Sequence, residues 1–87
     1  MIIEKILKEK KGTVVDVRTP AEFRRGNISG AVNIPLQELE TRLEEIKSLN
    51  SPLVLCCASG TRSAIAENML SKAGIECYNA GSWMDLQ

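Results

Sequence analysis

Residues 52 to 67, Pro52-Leu-Val-Leu-Cys-Cys-Ala-Ser-Gly-Thr-Arg-Ser-Ala-Ile-Ala-Glu, place an adjacent pair of thiols, a run of small residues and an arginine in one short stretch. Leu53, Val54 and Leu55 read as a strand buried on both faces and introduced by Pro52. Ser59 and Gly60 break the run, and Thr61 or Ser63 can cap a helix that carries Ala64, Ile65, Ala66, Met69 and Leu70. A cysteine at the end of such a strand faces a helix N-terminus, where free N–H groups converge and the dipole is positive. That setting favours the thiolate, which is the nucleophile. Arg62 adds a fixed positive charge at the rim. The chain contains no histidine, so backbone dipoles and Arg62 must activate the thiol. The chemistry indicated is nucleophilic attack by cysteine, with an anion held by the loop.

The rest of the chain supplies the frame. Ile2, Ile3, Ile6 and Leu7 share one face of a helix over residues 2–10, opposite Glu4, Lys5, Lys8 and Glu9, and Gly12 ends it. Thr13-Val-Val-Asp-Val is β-branched and reads as the first strand. Thr19 is a good N-cap, with Pro20 at the first helical position and Glu22 three residues on, but Gly26-Asn27 keeps that helix short. A brief strand around Val32 to Ile34 stops at Pro35. Leu36, Leu39, Leu43, Ile46 and Leu49 predict one amphipathic helix over residues 36–49. Ala73-Gly74 closes the helix that follows the thiol loop. Ile75-Glu-Cys-Tyr-Asn reads as the last strand, and a turn with the start of a terminal helix follows. Strands alternating with helices predict an α/β domain, 1–87, with a mainly parallel sheet.

Composition narrows the function classes. The 87 residues allow one domain with one core. Lys and Arg number 11 and Asp and Glu number 11, so no global field attracts nucleic acid or acidic membranes. Phe23, Tyr78 and Trp83 are the only aromatics, too few for a base-stacking surface. No apolar run approaches membrane-spanning length. Met1-Ile-Ile-Glu-Lys lacks the basic start and long apolar centre of a signal peptide, so a cytoplasmic location is expected. Three cysteines without zinc spacing argue against a disulfide framework and a zinc site. Neither cofactor nor metal is expected.

Two separated signatures now stand in order. Asp16-Val-Arg-Thr-Pro-Ala-Glu-Phe with Gly26-Asn-Ile-Ser-Gly-Ala-Val-Asn-Ile-Pro is the first, and Cys57-Ala-Ser-Gly-Thr-Arg-Ser is the second. Together with Asn79-Ala-Gly-Ser-Trp they resemble the single-domain rhodanese (thiosulfate sulfurtransferase-like) family, from about Thr13 to Leu86. The resemblance implies a central five-stranded, mostly parallel sheet with helices on both sides. It also implies transfer of a sulfane sulfur from a small anionic donor such as thiosulfate to a thiol, a protein thiol included, or to cyanide. Cys57 would carry the sulfur as a persulfide. The backbone of Ala58, Ser59, Gly60, Thr61, Arg62 and Ser63 would cradle the anion, with Arg62 holding a sulfite-like leaving group. Asn27 stands where the family usually carries histidine and is read as structural. Ala58 stands where many thiosulfate users carry a basic residue, which leaves a protein persulfide or another thiol donor equally open.

Several residues admit two readings. Counting from Cys56 gives the Cys-x5-Arg spacing of tyrosine and dual-specificity phosphatases, some of them rhodanese-like in fold, and keeps a phosphatase or arsenate reductase in view. Gly60 falls in place only when Cys57 is first, and strand alternation turns Cys56 into the core beside Val54. Cys77 reads as packing or as a resolving thiol. Asp16 and Arg18 read as structural, Arg18 pairing with an acid such as Glu22. Arg24 and Arg25 read as a solvated pair, and Trp83 as packing. Ser59 either donates to a persulfide or shapes the turn. A third function class, a docking or sulfur-relay module without catalysis, has no need of the intact thiol loop.

Overall fold

The computed structural model describes residues 2–87; Met1, the first residue of the expected 1–87 domain, lies outside them. The first helix, α1, is Ile2–Glu9 and buries Ile6. It stops before Gly12, where Lys10 takes a φ of 54° and the Lys11 N–H donates to the Ile6 carbonyl at 3.2 Å. Gly12 serves a different end. A Cβ there would run into the carbonyl oxygen of Pro52, the same oxygen that accepts from the Thr13 N–H at 3.1 Å. Only glycine lets the two strand entrances lie this close.

Strand β1 is Thr13–Asp16, and helix α2 is Pro20–Arg25. The capping box forms as the spacing predicts. Thr19 Oγ1 accepts from the Glu22 N–H and Glu22 Oε1 accepts from the Thr19 N–H. Strand β2 is Val32–Asn33. The predicted helix over 36–49 is instead broken into two 3-10 turns, Leu36–Glu38 and Glu40–Arg42, and a short helix α3, Leu43–Lys47. Arg42 leaves helical geometry at φ −117°, ψ 23°, its guanidinium held by Glu38 and Glu45. The leucine spacing survives because a step of three residues suits a 3-10 turn as well as an α-helix. Leu39 and Ile46 are fully buried.

Strand β3 is Leu53–Cys57, buried at every position, and helix α4 is Thr61–Lys72. Neither Thr61 nor Ser63 caps α4. Gly60 is the N-cap, at φ 99°, and no side chain bonds there. Strand β4 is Cys77–Ser82 and a 3-10 turn, Trp83–Leu86, ends the chain. Ile75 stays outside β4 because its N–H is spent on the Leu70 carbonyl, 3.0 Å away, in the glycine stop of α4.

The sheet has four strands in the order β2-β1-β3-β4, every pair parallel. The expected fifth strand is absent among the described residues. The chain holds four strand-like runs, and the other apolar segments, residues 2–9 and 36–49, have helical spacing and fold as α1 and as the 3-10 turns with α3. Reversal of the strand order between β1–β2 and β3–β4 places helices on both faces under right-handed crossovers. Val15, Val17, Leu53, Leu55 and Cys57 face Leu39, Ile46, Ala66 and Leu70 in one core. Val54 lies on the other face, beside Ile6 and Leu7 of α1. No described helix is long and apolar enough to cross a membrane.

Candidate functional site

The thiol loop sits at the carboxyl end of β3, the central edge of an α/β sheet where parallel strands hand over to helices. Cys57 is fully buried. Its Sγ accepts a hydrogen bond from the Gly60 N–H at 2.9 Å and lies 3.4 Å from Ser63 Oγ. Gly60 can turn its N–H back onto the sulfur because it occupies the left-handed region, and a Cβ there would lie 3.3 Å from Gly81 Cα. Between Leu55 and Cys57 the β3–β4 register slips, so Cys57 pairs with Ser82 while Leu55 pairs with Asn79. That bulge brings Gly81 against Gly60. Ala58, Ser59 and Thr61 form the exposed rim.

The two adjacent thiols have opposite settings. Burial disfavours ionisation of Cys57, but the Ser63 hydroxyl, once its proton is turned to the sulfur, and the backbone N–H groups of Ser63, Gly60 and Ser59 outweigh it, and its pKa is lowered. Burial without such donors pushes Cys56 up to about 12, with the Asp16 charge adding to the rise. Cys56 pairs in register with Asp16 and points, as alternation requires, to the face of Val54. Cys77 pairs with Leu53, four residues from Cys57 along β3. At about 3.3 Å per residue the two thiols are roughly 13 Å apart, too far for a disulfide. The resolving-thiol reading of Cys77 is therefore set aside.

Arg62 stands at the rim, and its guanidinium is held by both oxygens of Glu22, at 2.7 and 2.9 Å. The pairing of Glu22 with Arg18 expected from sequence does not form between the side chains. Arg18 instead forks onto Asp16 and reaches only the main-chain carbonyl of Glu22. The cause is local: Oε1 of the capping-box glutamate serves Thr19 at the N-terminus of α2, and the carboxylate then projects toward α4. The Arg62 hydrogen bond, followed by the Thr19 N–H, lowers the Glu22 pKa from 4.5 to about 2. A carboxylate whose folded pKa is depressed stabilises the fold above its unfolded pKa, and that contribution fades as pH falls toward the folded value. Wild type should thus exceed Glu22→Gln in stability most clearly above about pH 4.5. The difference should shrink between pH 4.5 and 2, which urea midpoints across that range would read out. A constant difference would assign the effect to packing.

Asn79 and Glu67 complete the site, and neither stood out in the sequence as chemistry. Asn79 Oδ1 accepts from Ser63 Oγ at 2.7 Å and from the Gly81 N–H at 2.9 Å, while Nδ2 donates to the Gly60 carbonyl at 3.2 Å. Glu67 Oε2 accepts from the Asn79 N–H at 2.8 Å. A polar residue in a strand, two positions before a glycine, was the available signal. Ser63 is not a cap but a buried contact of the sulfur.

A family model for the rhodanese-like domain matches residues 2–86. The chain belongs to the rhodanese-like family. It is 44% identical over 71 residues to YqhL of Bacillus subtilis (strain 168), covering 80% of this chain and 56% of that protein. It is 32% identical over 74 residues to the thiosulfate sulfurtransferase PspE of Escherichia coli (strain K12), covering 83% of this chain and 71% of PspE. The crystal structure of a rhodanese-related protein from Thermoplasma volcanium superposes with a TM-score of 0.81 at 30% identity, over 94% of this chain and 79% of that one. Within this rhodanese-like frame Asn27 has a structural task, its Nδ2 donating to the Phe23 carbonyl at the end of α2, 2.8 Å away. Trp83 packs as expected, its ring 4.5 Å from the Arg18 guanidinium. Arg24 and Arg25 are exposed.

Proposed function

We propose that this rhodanese-like chain, as one domain over 1–87, moves a sulfane sulfur through a persulfide on Cys57. The thiolate attacks the outer sulfur of a donor such as thiosulfate or a persulfide. The donor S–S bond breaks, sulfite or a thiolate leaves with the electron pair, and Cys57 carries the transferred sulfur. A thiolate or cyanide then attacks that outer sulfur, forming a new persulfide or thiocyanate and returning the Cys57 thiolate. The loop N–H groups of Ala58 through Ser63 bear the negative charge of the terminal sulfur, and Arg62 meets the leaving group.

The observation that carries this reading is the Gly60 N–H, 2.9 Å from Cys57 Sγ. The loop is drawn down onto a single sulfur atom, and a phosphate would need a wider ring. Counting the loop from Cys56 instead relies on a thiol on the opposite face whose pKa is pushed up to about 12, which weakens the phosphatase and arsenate-reductase readings. Burial of Cys57 means that the exposed Ala58–Thr61 rim must move for a donor to enter. Pairing of Arg62 with Glu22 leaves backbone dipoles as the main attraction, which suits a low-charge persulfide donor at least as well as thiosulfate. The name of PspE supports thiosulfate as the first donor to offer.

Intact mass after incubation with thiosulfate, and then with a persulfide donor, should show a gain of one sulfur atom. Cyanide should remove it with thiocyanate appearing. Aryl phosphate hydrolysis without any sulfur gain would replace this reading with the phosphatase one, and inertness in every assay would favour the docking module.

A further inference from the structure

The Ser63 hydroxyl has two oxygen acceptors within reach, Asn79 Oδ1 at 2.7 Å and the Gly60 carbonyl at 3.2 Å, and the shorter contact fixes where its proton rests. The Gly81 N–H can only donate and the Gly60 carbonyl can only accept, so the Asn79 amide has its oxygen toward Gly81 and Ser63 and its nitrogen toward Gly60. Amide oxygens only accept. The 2.7 Å contact between Ser63 Oγ and Asn79 Oδ1 therefore uses the single Ser63 proton. What Ser63 turns toward Cys57 Sγ, 3.4 Å away, is a lone pair. It accepts from the thiol and offers the thiolate nothing until its proton swings away from Asn79.

We propose that Asn79 is a positioning residue for the reactive cysteine: by holding the Ser63 hydroxyl proton it competes with the Cys57 thiolate for the same donor, and so sets how readily the nucleophile ionises. The inference rests on Cys57 being the sulfur carrier and deepens that reading. Two forces oppose each other at the sulfur. The Gly60 N–H stabilises the thiolate outright, whereas the Ser63 hydroxyl does so only after giving up its bond to Asn79. The Glu67 carboxylate holds the Asn79 backbone from α4, and the Gly81 N–H and Gly60 carbonyl hold its amide, so the amide keeps its place when the hydroxyl turns.

Ultraviolet titration of the Cys57 thiolate, as the difference from Cys57→Ser, tests this without any sulfur donor. Asn79→Ala frees the Ser63 proton, for which the charged thiolate then outcompetes the neutral Gly60 carbonyl at 3.2 Å, and should lower the Cys57 titration point by about half a unit to one unit, the shift equivalent to one neutral hydrogen bond. In a Ser63→Ala background the same substitution should leave the titration unmoved. Asn79→Asp keeps an acceptor for Ser63 and Gly81 and adds charge, so it should raise the titration point, by more when Ser63 is present than when it is absent. The charged groups near the two cysteines, Asp16 from β1, Arg18 just beyond it, Glu22 from α2, and Arg62 and Glu67 from α4, are common to all these variants. A purely structural asparagine would move both substitutions the same way, or equally with and without Ser63, and either result overturns the proposal. Should Asn79→Ala fail to fold, the Asn79→Asp comparison across the two backgrounds decides alone. Sulfur loading by mass is read separately, so failure of the titration and failure of the transferase reading remain distinct.

Discussion

Cys57→Ser protein takes up no sulfur from thiosulfate or from a persulfide donor, while Cys56→Ala protein loads as wild type does. The first loss should be about a thousandfold or more, because removing a nucleophile removes the covalent intermediate and leaves only binding. The adjacent thiol cannot take over. Cys56 lies on the far face of β3 with no donor to its sulfur among the described residues, and at neutral pH its thiolate fraction is negligible with a pKa pushed up to about 12. Cys56→Ala removes a sulfur from a fully buried position and acts on stability, by about 1 kcal/mol, rather than on transfer. Intact mass of each variant after donor treatment separates the two. Full loading of Cys57→Ser would move the site to Cys56 and reopen the wider phosphatase-type loop. Equal loss in both would show that the pair acts as a unit.

Local signals were legible in the sequence wherever one residue's chemistry fixed its neighbour's. Thr19 and Glu22 form the capping box, with Pro20 between them, because N-cap and N3 lie on one turn. Cys57 and Cys56 take opposite faces because side chains alternate in a strand. The ion-pair partner of Glu22 was not legible, since its carboxylate meets Arg62, 40 residues away, only after the sheet has set α2 beside α4. Asn79 escaped for the same reason: it acts 16 residues from Ser63, through a bulge that no periodicity announces. Leucine spacing overstated the helix at 36–49 because the stripe records which side chains face the core, not whether the backbone between them turns by three residues or four. The fifth strand belonged to the resemblance rather than to any run of residues in this chain.

The buried pair of Asp16 and Arg18 carries the second large effect. Asp16 is fully buried, and Arg18 donates to it from the backbone N–H, Nε and Nη2, the last at 2.7 Å. Arg18 also reaches the Gly26 carbonyl at 2.7 Å and stacks on Trp83, tying β1 to the end of α2 and to the last turn of the chain. Arg18→Met should cost about 3–5 kcal/mol, since it leaves a carboxylate buried without its counter-charge. A domain of this size holds about 4–13 kcal/mol in all, so the melting temperature should fall by about 15 °C or more. The double variant Asp16→Asn/Arg18→Met keeps an acceptor for the residue-18 N–H and removes the orphaned charge. It should be more stable than the single variant by over about 1 kcal/mol, although the ties to Gly26 and Trp83 stay lost. Chemical denaturation of the three proteins measures both numbers. If the double variant is no better than the single, the cost lies in those ties rather than in the buried charge. The arginine then acts as the bolt that holds α2, and with it Glu22, against the thiol loop.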